Sequence, residues 1–344
     1  MMAGRPVGAG AAAVATGRSA RSAPATCDPG AVTVSLLVCT RERLVRLRRV
    51  GRSWAAEPAL EGVGAQCVAA VGGRVLVGTR GNGAFLSDDG GVTWQPVELP
   101  EPDVFSVAVS AADGALYAGT EPSRLFVARD GGEWTELEAL QRIPSRNRWS
   151  YPPRPWTHHV RWIAPDPHHA QRLLVGIELG GLMYSDDGGA TFSDHRPGAK
   201  LDAHCIAWHP AAEDRAYQAA GDGAAWSRDG GRTWEAADAG RRLGYCWALA
   251  VDPADPERWY VSAATGPRAA HSGEGARGRL YRWDGSWKEL PLAPDSMPYA
   301  LVAAGGDLFA GMADHRLLQS RDGGESWQDL GVRVGSITAI AAAP

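Results

Sequence analysis

The sequence lacks any stretch approaching the ~18 consecutive apolar residues of a membrane-spanning helix, so no span is expected. Cysteine is scarce. Cys27, Cys39, Cys67, Cys205 and Cys246 are odd in number and widely scattered, which argues against a disulfide framework or a paired metal site and points to a reducing, cytoplasmic compartment. Export is the lesser alternative: Val7–Thr16 has the character of a signal-peptide core, but it is mostly Ala and Gly and is followed by Arg18 and Arg21. Excess charge is also missing. A formal net charge of −4 and a pI near 6.1 give a polyanion no electrostatic reason to bind, so nucleic acid is not an expected partner. No local metal-binding spacing is present, and neither a metal nor a cofactor is assigned.

What the sequence does contain is turn chemistry. The 43 glycines and 23 prolines punctuate short apolar runs, which suits many brief strands and leaves little room for long helices. Residues 1–31 are rich in Ala, Gly, Arg and Ser without aromatic residues or strand periodicity. Such a segment cannot bury enough surface to offset its ordering entropy and is expected to be disordered. From residue 32 onward an internal repeat appears. Ser87-Asp88-Asp89-Gly90-Gly91-Val92-Thr93-Trp94 recurs as Ser185 to Phe192, Ser227 to Trp234 and Ser320 to Trp327, with degenerate copies ending at Trp54, Trp134 and Trp287. The seven closing aromatics lie 40, 40, 58, 42, 53 and 40 residues apart, so a period near 40 is broken by two insertions.

Four short strands, A to D, fit that period. In the second unit Gln66–Val71, Val75–Thr79, Gly83–Ser87 and Thr93–Leu99 are apolar or alternating runs separated by Gly-containing turns. The repeated motif then occupies the C–D turn, where Asp89, Asp130, Asp187, Asp229 and Asp322 are expected to accept turn N–H groups and to do no chemistry. The chain opens with Val32–Thr40, Arg43–Arg49 and Ser53–Pro58, which match strands B, C and D, and it ends with Ser336–Pro344, which matches strand A. Pairing the last strand with the first three closes a ring and removes exposed edges. The sequence therefore predicts an all-β, seven-bladed β-propeller over residues 32–344, with the C-terminal strand completing the first blade; a six-bladed ring is the alternative.

The Asp-box motif resembles that of BNR-repeat propellers, a superfamily that includes photosystem II assembly and stability factors, sortilin ectodomains, xyloglucanases and sialidases. The resemblance covers nearly everything from Val32 onward. It is specific for fold and poor at specifying function, because the superfamily spans enzymes, assembly factors and receptors. It also implies that the Asp-boxes lie on the face opposite any active site.

Strand geometry places the D–A and B–C loops on one face and the A–B and C–D loops on the other. Both insertions, Gln141–Thr157 and Gly266–Gly278, fall on the face opposite the Asp-boxes, and long loops in a compact repeat are usually functional or disordered. Aligned A strands put His159, Asp202 and Tyr245 at one position and Arg161, His204 and Trp247 two residues later, on the same strand face. Tyr299 and Phe105 join the second layer, Asp103 the first. The B–C loops add Arg80, Asn82, Glu178, Asp222, His271 and His315. His168, His169 and His209 fall in A–B turns on the other face and are expected to be solvated.

The expected site is a channel mouth built from His159, Arg161, Glu178, Tyr245, Trp247 and Tyr299, with Arg154 and Trp156 in one wall. Its aromatic surface, cations and carboxylates suit a small polar ligand, a glycan or a peptide segment, bound by a monomeric protein. The alternative is a sialidase- or xyloglucanase-like glycoside hydrolase in which Asp202 and His204 exchange protons. A metal-dependent hydrolase or lyase would draw on His158, His159, His204 and His271. Arg142-Ile143-Pro144 matches a short sialidase motif, but it follows two Asp-boxes instead of preceding them, and it is read as coincidence.

Overall fold

The computed structural model describes residues 34–272, 275–292 and 296–343; the segment expected to be disordered, 1–31, lies outside them. Seven antiparallel sheets follow one another along the chain. The first is completed by the last strand: Ile337–Ala343 pairs with Ser35–Thr40, which pairs with Arg43–Val50 and then Ser53–Glu61. The fold is the seven-bladed, terminally closed propeller that the repeat phase predicts. No described helix is long and apolar enough to cross a membrane.

Strands B and C read as continuous apolar runs because each sheet is covered on both sides by neighbouring blades. Leu173–Ile177 and Gly181–Ser185 in blade 4, and Ala216–Ala220 and Gly223–Ser227 in blade 5, are buried at every residue. The core is accordingly divided among blade interfaces; Leu174, Leu182 and Tyr184 of blade 4, for example, meet Ile206, Trp208 and Trp234 of blade 5. Each such aliphatic side chain contributes roughly 1.5–3 kcal/mol on burial. Outside blade 1 the outer D strands are short, as at Gln95–Val97, which begins later than the sequence suggests because Thr93 is bound into the Asp-box turn. Blade 4 has only three strands, its fourth reduced to the bridge Tyr184–Ser193. There His195 Nδ1 accepts from the Leu182 amide at 3.1 Å, while Asp194 turns away to the insertion and accepts from Ser145 Oγ at 2.6 Å.

Every innermost strand carries a β-bulge near its start. Thr338, Gln66, Phe105, Arg161, His204, Trp247 and Tyr299 fall at the register shifts of blades 1 to 7. A bulge re-aims a side chain without ending the strand, and here those of blades 3 to 7, Phe105, Arg161, His204, Trp247 and Tyr299, meet one another at the channel mouth. Close approach of adjacent blades is permitted by small residues opposite the bulges. A Cβ on Gly119 would stand 2.5 Å from Val160 Cγ1, and one on Gly78 2.7 Å from Val104 Cγ1, each on the next blade.

The Asp-box turns share one bonding scheme. Asp89, Asp187 and Asp229 each accept from the preceding Ser hydroxyl and from the amide and hydroxyl of the following Thr; Asp322 does so with Ser320 and Ser326. Among the described residues Asp130 makes none of these bonds, because Ala128 replaces the serine and the loop is one residue shorter. Trp234 is buried, whereas Trp94 and Trp327 are half-buried. His209 departs from expectation: it is 1% exposed, bonds Asp252 O through Nε2 at 2.9 Å, and accepts at Nδ1 from the amides of Ala211 and Ala212. It clamps one blade to the next instead of being solvated.

Candidate functional site

Three adjacent blades deliver the central residues. His159 and Arg161 flank the start of Val160–Pro165, Asp202 and His204 that of Ala203–Trp208, and Tyr245 and Trp247 open Tyr245–Val251. Glu178 follows strand B of blade 4 directly, which brings its side chain over the same mouth.

Glu178 is the hub. Its Oε2 accepts from His159 Nε2 at 2.7 Å and lies 3.3 Å from Arg161 Nε, while Oε1 is 4.0 Å from His204 Nε2. Burial opposes its ionisation, but the hydrogen bond from His159 and the charge of Arg161 win and hold its pKa at about 2. Asp202 lies 3.6 Å from His204 Nε2 and has the reverse character: burial first, then the charges of Glu178 and Asp222, raise it to about 7. His204 is fully buried, which lowers its pKa to about 4 despite the carboxylates around it. Its Nδ1 donates to Cys246 O at 2.6 Å, and Nε2 faces the Tyr245 hydroxyl at 3.5 Å.

Aromatic groups enclose these charges. Phe105 stacks on His159 with centroids 3.7 Å apart, and Tyr151 meets the same ring edge-on at 5.0 Å. The Arg161 guanidinium sits over Trp247 at 5.1 Å and Phe105 at 5.8 Å, within cation–π reach of both. Trp247 also touches His204, His271 and Tyr299, and the Tyr299 hydroxyl donates to Ala270 O at 2.6 Å.

The structure thus brings together His159, Arg161, Glu178, Asp202, His204, Tyr245 and Trp247, with Tyr299 attached through Trp247. Arg154 reaches the site through Glu121: it pairs with that carboxylate in two-pronged fashion, at 2.8 and 2.5 Å, and covers the Tyr151 ring, while Glu121 Oε2 lies 3.4 Å from His159 Nδ1. Trp156 is 80% exposed at the tip of the insertion, whose Tyr151–Thr157 segment is closed by its own backbone hydrogen bonds. Leu201, beside Asp202, is also exposed. His158 points away from His159, as adjacent strand residues must, and packs edge-on against Trp149. The four histidines considered for a metal therefore do not converge. Ile143 of the Arg-Ile-Pro stretch is core, and Arg142 pairs with Glu138 in the open.

Two participants escape a reading of single motifs. Glu121 follows strand B of blade 3 just as Glu178 follows that of blade 4, so aligning strand-B ends would have found it. Tyr151 lies in the insertion and has no repeat equivalent to reveal it. A separate open cleft of about 580 Å³ lies above blades 1 and 2, lined by Arg41, Arg43, Glu61 and Arg80. Arg43 pairs with Glu61 and Arg80 bonds Gln66 there; the buried convergent groups lie at the channel mouth, which is the stronger candidate.

Residues 85–96 match the BNR/Asp-box repeat family. No curated protein matches the chain at the sequence level. Among solved structures, a GH74 xyloglucanase from Xanthomonas campestris superposes with TM-score 0.57 at 19% identity over 77% of this chain and 45% of its own. An ancestral GH74 enzyme gives 0.56 at 14%, over 81% of this chain and 38% of its own. The chain spans less than half the length of either enzyme. YCF48 from Cyanidioschyzon merolae gives 0.56 at 16% over 83% of this chain and 95% of its own, and YCF48 bound to D1 peptide 0.55 at 14% over 87% and 85%. Identities this low carry the fold and nothing finer. With the repeat match, the four fully bonded Asp-box turns and the seven closed blades, the chain is a BNR-type, Asp-box β-propeller.

Proposed function

We propose that this propeller is a recognition module that holds a small polar ligand, glycan or peptide segment at the channel mouth opposite the Asp-boxes. One observation carries the reading: blades 4, 5 and 6 place His159, Arg161, Glu178, Asp202, His204, Tyr245 and Trp247 in mutual contact at one end of the ring, with Leu201 exposed next to Asp202 and Trp156 exposed on the insertion that also carries Tyr151. Mixed aromatic and charged groups at a concave mouth suit a ligand that combines flat apolar and polar parts. YCF48 bound to D1 peptide is one precedent for a peptide on this fold. The test is a glycan array and a random hexapeptide library on the purified chain. Trp156→Ala and Tyr245→Phe should weaken any retained probe by about tenfold or more, whereas Asp229→Ala, on the other face, should leave it bound. The reverse pattern would refute the site.

A second reading, glycoside hydrolysis, is favoured by the carboxylates of Glu178 and Asp202, which approach within 4.8 Å. Retaining glycosidases set their pair roughly 5–5.5 Å apart. Turnover of aryl glycosides or xyloglucan that falls about 10²-fold or more in both Glu178→Gln and Asp202→Asn would select this reading.

A further inference from the structure

Glu178, Asp202 and His204 each offer an atom within 4.8 Å of the other two. The remaining polar atoms of the set are largely committed. Glu178 Oε2 is held by His159 and Arg161, and His204 Nδ1 donates to Cys246 O at 2.6 Å. A carbonyl only accepts, so that bond fixes the proton on Nδ1 and leaves a lone pair on Nε2. The lone pair faces Asp202 Oδ1 at 3.6 Å and Glu178 Oε1 at 4.0 Å. The nearest hydroxyl, that of Tyr245, is 3.5 Å away, too long for a firm hydrogen bond. Asp202 Oδ1 is itself buried and has no hydrogen-bond partner. Three electron pairs therefore converge on one buried point where a positive centre would relieve their desolvation and repulsion.

The dimensions suit such a centre. With edges of 3.6 and 4.0 Å meeting at His204 and a third no longer than 4.8 Å, a point lies within roughly 2.5 Å of all three atoms, near metal–oxygen and metal–nitrogen distances. The supports are those of a metal site as well: a ligating imidazole is oriented by a carbonyl on its other nitrogen, and a ligating carboxylate by its own donors. One imidazole with two carboxylates matches a borderline divalent transition metal better than a soft ion.

We propose that Glu178, Asp202 and His204 bind a divalent transition-metal ion, such as Zn²⁺ or Mn²⁺, with its open coordination positions facing the channel mouth. The site needs no other ligand in order to form. Where a ligand carboxylate or hydroxyl would complete the coordination, the inference rests on the recognition reading above.

The experiment is calorimetric titration of the EDTA-stripped full chain with ZnCl₂ and with MnCl₂, alongside Asp202→Asn and His204→Gln. One ion per chain is expected in the wild type. Either substitution should weaken it by about 100-fold or more, since loss even of supporting groups costs about 10–100-fold. His204 is fully buried and its variant can fail to fold; Asp202→Asn preserves shape at a half-buried position, and an unchanged circular dichroism spectrum qualifies it. Absence of wild-type binding to both ions, or equal affinity in a folded Asp202→Asn, would overturn the site. Wild-type protein that ignores both ions yet still retains a hexapeptide or glycan probe sinks the metal site and spares the recognition reading. One ion bound with no probe retained, with or without EDTA, does the opposite.

Discussion

Asp229 accepts four hydrogen bonds inside its own turn: from Ser227 Oγ at 2.8 Å, Arg232 N at 3.1 Å, Thr233 N at 2.9 Å and Thr233 Oγ1 at 2.6 Å. Asp229→Ala removes both carboxylate oxygens and with them all four bonds. Bonds to a charged group contribute about 1.5–3 kcal/mol each when buried, but this turn is half-exposed and its freed donors rehydrate. The closest analogue is loss of a helix N-cap, about 1–2 kcal/mol. For a folded body of about 310 residues, at roughly 2.1 cal/mol/K per residue, that lowers the melting temperature by about 1.5–3 °C. The protein supplies its own control, since the Asp130 turn makes none of these bonds and its blade still forms. Asp130→Ala should stay within about 0.5 kcal/mol of wild type. Scanning calorimetry with urea denaturation measures both. Equal losses in the two variants would refute the claim that the carboxylate network, and not the loop as such, stabilises the turn.

Three further outcomes are expected. Deleting Ile337–Pro344 removes the partner of Ser35–Thr40 and should drive the chain into aggregates by size-exclusion chromatography; a truncation as stable and as monodisperse as the full chain would contradict terminal closure. Gly119→Ala forces a Cβ to within 2.5 Å of Val160 Cγ1 and should cost about 1–3 kcal/mol, whereas Gly244→Ala, with nothing within 4 Å, should be neutral or slightly stabilising in the same melts. The Asp322 carboxyl is held at about 2 by its hydrogen bonds from Ser326. Its folded-state pKa is therefore depressed, so its contribution is complete above the unfolded value near ~4 and is lost as pH falls toward about 2; melting temperature should drop across that window in the wild type and less steeply in Asp322→Asn.

The blade count, the strand phase and the closure were legible because they depend on local chemistry repeated at a fixed interval: Ser, Asp, Gly and Trp mark the same turn wherever they recur. The pairing of His159, Asp202 and Tyr245 with Arg161, His204 and Trp247 was legible for the same reason, through alignment of strand A. What the spacing could not give was the direction of each side chain. A bulge leaves no residue signature, so the convergence of Glu178, Asp202 and His204 on one point emerges only in three dimensions, whereas strand alternation alone allows at most one of His158 and His159 to face the axis. His209 was misjudged because a polar residue in a turn ordinarily faces water; it is buried because the neighbouring blade offers it the carbonyl of Asp252. The role of Arg154 was likewise hidden, since its partner Glu121 is distant in sequence.

The ring of bulges separates what each inner strand displays from how it is held. A bulged residue has no ladder partner of its own, so exchanging its side chain leaves strand register untouched. Thr338, Gln66, Phe105, Arg161, His204, Trp247 and Tyr299 are thus seven equivalent sockets on one wheel, the fully buried His204 being one that the packing also depends on. A new binding chemistry can be grafted by rewriting the sockets of blades 1, 2 and 7 while the turns on the far side keep the wheel assembled.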